Sequence, residues 1–246
     1  MLPTRKCDGA HICVTYKKIM DRRKDFANIS LLAAFSRSEK EELYTQCRIK
    51  QFKKGETIIN EGDNSQELYF IIDGRVKVSS WCPSGREIGL SFLTGGSYFG
   101  EFSIIDGRPR SASIETAASS IIAILPYPQS KQFIFNHIKV MHQLLIDHVN
   151  MIRQQDERIM DLTDVGAPKR IHKLLLKLIH IHPKFKSEPL IHPMPTQHDI
   201  AIMTSTSRES VSRALAILYE DGVIEKSGKY LFIKKLETLK QLTLIS

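Results

Sequence analysis

Between Gln51 and Pro126 the chain runs in short stretches rich in Val, Ile, Phe and Tyr, interrupted at Gly55, Gly62, Gly74, Gly85, Gly95-Gly96, Gly100 and Gly107. After Pro128 neither glycine nor proline recurs until Gly166. That change of texture limits the fold more than any other feature. Short β-prone runs, each closed by a residue that tolerates positive φ, fit an antiparallel sandwich or barrel. Residues 28 to 48 and 128 to 163 lack this punctuation and are expected to be helical. Within the β region, Leu68 to Ile72 and Arg75 to Val78 flank Asp73-Gly74, a pattern that predicts a hairpin.

Along the later stretch, Met141, Leu145, His148, Ile152, Gln155, Ile159 and Leu162 follow one another at alternating steps of four and three. A seam of that period is how two helices pair, so a homodimer is expected, with His148 and Gln155 as polar interruptions. Gly166-Ala167-Pro168 should end this helix and begin the next. Proline disfavours helix in its predecessor and suits a helix's first turn, so a hinge is expected there.

Of the net charge of +8, +6 lies in residues 169 to 246, where 13 Lys and Arg face 7 Asp and Glu. A near-neutral module followed by a basic one suits a polyanionic partner. Ile171, Leu174, Leu175, Leu178 and Ile179 repeat at helical spacing, and residues 182 to 195 read as a polar, proline-broken loop. Thr196-Gln-His-Asp199 then spells a capping signal for a short helix through Met203, and Thr204-Ser205-Thr206 a turn. Ser207 caps a second helix, with Glu209 near its positive end. Val211, Ala214, Leu215 and Leu218 can face a core, which leaves Arg208, Glu209, Ser212 and Arg213 toward solvent. This is helix-turn-helix geometry, in which the second helix enters the major groove. Residues 222 to 233 read as a hairpin turning at Ser227-Gly228, a wing.

Two of these segments are similar to a known family. Phe99-Gly-Glu-Phe-Ser-Ile-Ile-Asp-Gly-Arg-Pro-Arg-Ser-Ala112 resembles the phosphate-binding cassette of cyclic-nucleotide-binding domains. Thr196 to Leu215 resembles the DNA-reading unit of the bacterial cyclic AMP receptor protein superfamily. Gly55-Glu56, Glu61-Gly62-Asp63 and Ile71-Ile-Asp-Gly-Arg-Val76 look like that family's roll glycines and hairpin. The resemblance covers residues 28 to 235 and implies an α+β chain. Its parts would be an extension over 1–27, a jelly-roll-like cyclic-nucleotide-binding β-roll over 28–135, a dimerisation helix over 136–165, and a winged helix-turn-helix over 166–246. The implied function is a dimeric transcriptional regulator whose effector orients the recognition helices.

A cyclic phosphodiester carries one negative charge and must be desolvated, so it needs a fixed guanidinium and several amide donors. Arg110 is expected to supply the first. Backbone N–H groups around Phe102, Ser103 and Ala112, freed by glycines such as Gly100, and the Ser111 hydroxyl are expected to supply the second. The resemblance assigns Glu101 to the ribose 2′-hydroxyl. Gln155 and Asp156 fall where the cyclic AMP receptor carries a Thr-Ser pair that contacts adenine. An amide and a carboxylate could accept from the adenine amino group, or the carboxylate could pair with guanine N–H donors. Cyclic AMP is the first expectation and cyclic GMP its competitor.

On DNA, Arg208, Glu209 and Arg213 match in type and spacing the family residues that read a TGTGA-like half-site. Arginine donates bidentately to guanine and glutamate accepts from cytosine. Gln197, Ser207 and Ser212 suit phosphate contacts. The resemblance thus implies double-stranded DNA with an inverted repeat resembling TGTGA-N6-TCACA, and RNA polymerase, as partners.

Two other readings stay open. A redox or metal sensor of the same architecture could use Cys7, His11 and Cys13 with Cys47 and Cys82, although no C-x-x-C pair is present and no metal is expected. A nucleotide-regulated interaction protein that does not bind DNA is the other. The motifs of P-loop enzymes, zinc proteases and serine hydrolases are absent, so an enzyme is not expected. No apolar run reaches the roughly 18 residues of a membrane span, and the amino terminus lacks a signal-peptide core; the expected location is the cytoplasm.

Overall fold

A computed structural model describes residues 23–181, 185 and 188–244. Cys7, His11 and Cys13 lie outside the described residues. After a short helix α1 (Arg23–Phe26) and a 3-10 turn at Ser30–Leu32, helix α2 spans Arg37–Gln46. The helix expected over 28 to 48 is therefore split. Ser36 and Glu39 form a reciprocal capping box that starts a fresh helix, and Arg48 already belongs to a strand.

Eight strands follow: β1 (Arg48–Phe52), β2 (Thr57–Ile59), β3 (Leu68–Asp73), β4 (Arg75–Trp81), β5 (Glu87–Thr94), β6 (Tyr98–Phe99), β7 (Ser113–Thr116) and β8 (Ser120–Leu125). They form two antiparallel sheets, ordered β1-β8-β3-β6 and β2-β7-β4-β5. Helix α3 (Phe102–Asp106) lies between β6 and β7 in the chain. The first sheet is buried on both faces. Leu68, Phe70, Ile72, Ala123 and Leu125 join Phe26, Leu32, Phe133 and Val140 in one cluster, while Tyr69, Ile71, Ile122 and Ile124 join Phe52, Val76 and Ile114 in another. That is why β3 and β8 read as continuous apolar runs rather than alternating ones.

The expected Asp73-Gly74 hairpin does not form. Strand β3 pairs with β6 and β8, whereas β4 pairs with β5 and β7, so the chain crosses between sheets at this point. A single residue, Gly74, makes the corner at φ 101°. A Cβ there would lie 2.3 Å from Ser120 Oγ and 2.6 Å from the Ser119 carbonyl oxygen. Glycine is needed for close backbone approach, not for a two-residue turn. The hairpin next to it is β4–β5, closed through Cys82 and Arg86.

The helical stretch breaks once, at His137, into α4 (Gln129–Asn136) and the 27-residue α5 (Ile138–Asp164). Along the seam Leu145, Ile152 and Ile159 are each 60% exposed or more, but Met141 packs against the roll's own core. Helix α6 (Ala167–Leu178) starts after Gly166 with proline in its first turn. The second body holds α7 (Gln197–Met203), α8 (Arg208–Glu220) and α9 (Leu236–Gln241) against a sheet ordered β11-β12-β10-β9. Its strands are β9 (His180–Ile181), β10 (Pro189–Ile191), β11 (Ile224–Ser227) and β12 (Tyr230–Ile233). The segment read as loop thus contains a strand, because Leu190 and Ile191 are fully buried against Phe232 and Leu231. The wing turns one residue later than expected: Ser227 pairs with Tyr230, leaving Gly228-Lys229 as the turn. Among the described residues no helix is long and apolar enough to cross a membrane.

Candidate ligand cavity and nucleic-acid interface

A cavity of about 1040 Å³ lies between the roll, α5 and the start of the second body. Gly100, Glu101, Phe102, Ser103, Arg110, Ser111, Ala112 and Gln155 all line it; Asp156 does not and is exposed. One residue along a helix turns about 100°, which carries Asp156 away from the roll and beside the seam.

Arg110 is buried, and burial holds its guanidinium below the ordinary arginine pKa. Nε donates to Ser65 Oγ at 2.8 Å, Nη1 to the Gly100 carbonyl at 2.6 Å, and Nη2 to the Glu67 carbonyl at 2.9 Å. A guanidinium has five N–H donors, so one remains on each terminal nitrogen, the pair that two phosphate oxygens can accept. Gly100 makes this fit possible. At φ 93°, a Cβ there would lie 2.7 Å from Arg110 Nη1 and 2.8 Å from the Glu67 carbonyl. Gly100→Ala is therefore expected to cost about 2 kcal/mol or more in chemical denaturation and to displace the guanidinium.

Glu101, 7% exposed, faces His148 on α5, with Oε1 3.6 Å from Nε2. At the residue next to His148 on α5, the Tyr98 hydroxyl donates to Asp147 at 2.7 Å. The cassette is thus tied to the long helix at two points, and neither tie was foreseen from the sequence.

The helix-turn-helix is seated on the roll through β5. Lys77, 5% exposed, lies 3.0 Å from Glu87 and 3.8 Å from both Glu115 and Asp199, the last on α7. From α5, Arg158 donates to the carbonyls of Gly89 at 2.6 Å, Leu90 at 3.0 Å and Met203 at 3.2 Å, so one guanidinium joins three elements. A Cβ at Gly89 would lie 2.9 Å from Met203 Sδ, which makes this a close approach of strand and helix. Buried Arg75 donates to the Pro193 carbonyl at 2.5 Å. No local pattern marked Lys77 or Arg158. Their partners come from segments distant in the chain.

In the reading unit, Thr196 and Asp199 form the capping box that starts α7, and Ser207 Oγ accepts from the Ser210 N–H to start α8. Ser205, at φ 50°, turns the corner between them. Val211, Ala214, Leu215 and Leu218 are buried. Gln197, Ser207, Arg208, Glu209, Ser212 and Arg213 are all exposed around the start of α8. Arg208 Nε donates to His198 Nδ1 at 3.3 Å, and His198 Nε2 lies 3.6 Å from Glu87. Arg208 is therefore linked through one imidazole to the roll.

Residues 49–137 match the model of the cyclic nucleotide-binding domain, and residues 169–242 that of the Crp-like helix-turn-helix domain. The CRP-like cAMP-activated global transcriptional regulator of Mycobacterium tuberculosis is 31% identical over 202 residues, 80% of this chain and 88% of its own length. The chain belongs to the CRP-like family of transcription regulators. A second member, the cAMP-activated global transcriptional regulator CRP of Haemophilus influenzae, is 27% identical over 195 residues, 77% of this chain and 85% of its own. The fold is shared with FixK2 from Bradyrhizobium japonicum, with a TM-score of 0.70, 18% identity, and coverage of 81% of this chain and 98% of that one. This CRP-like chain is thus a cyclic-nucleotide-binding, DNA-binding regulator, and its family is not one of enzymes. Among the described residues no group of three or more His, Cys, Asp or Glu could hold a metal ion. Cys47 is a free thiol pushed up to about 12 by burial.

Proposed function

We propose that the chain is a cytoplasmic homodimer that binds cyclic AMP in the roll and responds by docking both recognition helices on an inverted repeat. The observation that carries this reading is that buried Arg110, with three of its five N–H donors used, lines the same cavity as buried Glu101. Arg110 takes the cyclic phosphate and Glu101 accepts from the 2′-hydroxyl. Gln155 lies within reach of the base, and Asp156, beside the seam, is offered to the cavity of the paired subunit. The exposed seam residues Leu145, Ile152 and Ile159 support the pairing. Both relatives named above are called cAMP-activated, which favours cyclic AMP over cyclic GMP.

The same strand serves ligand and reading head. Leu90 to Leu93 of β5 line the cavity, while the Gly89 and Leu90 carbonyls hold Arg158, which also holds the end of α7. A ligand pressed between β5 and α5 binds more tightly to one seating of α7 than to another, and that difference in affinity shifts the population. The hinge at Gly166 to Pro168 lets the second body follow. Calorimetric titration with both nucleotides tests the ligand: saturable binding of cyclic AMP is expected, and no saturation by either nucleotide below the millimolar range contradicts it.

For DNA, random-site selection is expected to return an inverted repeat with half-sites about one helical turn apart, and RNA polymerase is the expected protein partner. Arg213→Ala should cost about 1–3 kcal/mol on that site and relax one base position. Ser212→Ala should weaken all sequences alike, by less. Selection without a palindrome, or equal relaxation by both substitutions, contradicts the assignment.

A further inference from the structure

The contact between His148 and Glu101 is unexplained by the pocket alone. His148 Nδ1 lies 2.6 Å from the Leu144 carbonyl oxygen. A carbonyl only accepts, so Nδ1 carries a proton. The other nitrogen, Nε2, points at the Glu101 carboxylate at 3.6 Å, and the imidazole lies over the Phe102 ring at 5.3 Å between centroids. With Nδ1–H committed, a neutral imidazole turns its lone pair toward a carboxylate, whereas the doubly protonated ring offers it an N–H and a positive charge.

We propose that His148 is a positioning residue for the effector: in its protonated form it holds the Glu101 carboxylate aimed, leaving the second oxygen to accept from the ribose 2′-hydroxyl. This rests on the ligand reading above and extends it to proton linkage. The groups facing His148 are Glu101 from the roll and Asp147 from its own helix; Asp147 is engaged by the Tyr98 hydroxyl and by Gln143 Nε2 at 2.9 Å. The Glu101 carboxylate facing Nε2 raises the His148 pKa above the ordinary value of 6.5, against the opposing effect of burial. An anionic ligand entering beside the imidazole raises its proton affinity further. Binding then takes up protons, and affinity falls as pH rises through the histidine range.

The test is calorimetric titration of the intact dimer with cyclic AMP from about pH 6 to about pH 8.5, in buffers of different ionisation enthalpy, on wild type and His148→Gln. The wild type should lose roughly tenfold in affinity across that range with net proton uptake, and His148→Gln should bind with a nearly flat profile. In parallel, the His148 ring signal is titrated by NMR in ligand-free wild type and Glu101→Gln, where the midpoint should drop in the variant. This second measurement stands even if His148→Gln folds poorly. A flat wild-type profile, a slope retained in His148→Gln, or an unmoved midpoint overturns the proposal while leaving nucleotide binding intact. Failure of any cyclic nucleotide to bind overturns both readings, and the NMR titration then still reports whether the pair exists.

Discussion

Arg110→Ala is expected to remove nucleotide-dependent DNA binding altogether while leaving weak, salt-sensitive binding to any duplex. Two charge-assisted hydrogen bonds to the phosphate, at about 1.5–3 kcal/mol each, correspond to a loss of roughly two to four orders of magnitude in ligand affinity. The loss is compounded because the guanidinium also satisfies the Gly100 and Glu67 carbonyls and Ser65, so the cassette loses its brace. Arg110→Lys separates the two effects: it restores a charge but not the fork, and should recover only a small part of the affinity. The basic surface of the second body is untouched, so nonspecific binding keeps its steep salt dependence. Calorimetry with cyclic AMP and gel shift at two salt concentrations read both quantities. An alanine variant that kept full nucleotide response would show that the phosphate is held elsewhere.

The second large effect lies at the seat of the reading head. Lys77→Ala leaves the Glu87 and Asp199 carboxylates close together with little solvent, and breaking a buried ion cluster from one side costs about 3–5 kcal/mol. For a chain of this length that lowers Tm by on the order of 10 °C. Glu87→Gln introduced into the same variant should recover part of the loss, because it removes the stranded charge rather than the contact. Arg158→Ala acts on the same seat without stranding a charge and should be milder in stability. Denaturant melts of the four proteins check this. A Lys77→Ala variant within about 0.5 kcal/mol of wild type would mean that the cluster is solvated and that α7 is held by other contacts.

The sequence was most legible where a local signal decides the structure. The capping residues Ser207 and Thr196 fixed the two short helices, and the unpunctuated stretch fixed α5. The cassette residues were named through the family resemblance, and the segment around α3 brings them to the lining of one cavity. What failed were features decided by partners far along the chain. Asp73-Gly74 has the composition of a hairpin turn, but β3 finds its partners in β6 and β8 and β4 finds its in β5 and β7, so the same dipeptide makes a corner. Pro189–Ile191 looked like loop because its neighbours are polar and its burial comes from β12. The ties made by Lys77, Arg158 and His148 carried no motif, since each residue meets its partners only through packing of segments distant in the chain. Asp156 was assigned by counting along a helix, and one residue's rotation turns it out of its own subunit's cavity and beside the seam.

Central to all of this is that an anion held by Arg110 changes how the paired recognition helices meet DNA. The direct measurement is the affinity of the purified protein for a duplex carrying the selected inverted repeat, by fluorescence anisotropy, without nucleotide and with saturating cyclic AMP or cyclic GMP. A cyclic nucleotide should tighten binding at least tenfold, a coupling of about 1.4 kcal/mol or more, and leave a scrambled duplex unaffected. Equal affinity for the repeat at every nucleotide concentration would contradict it.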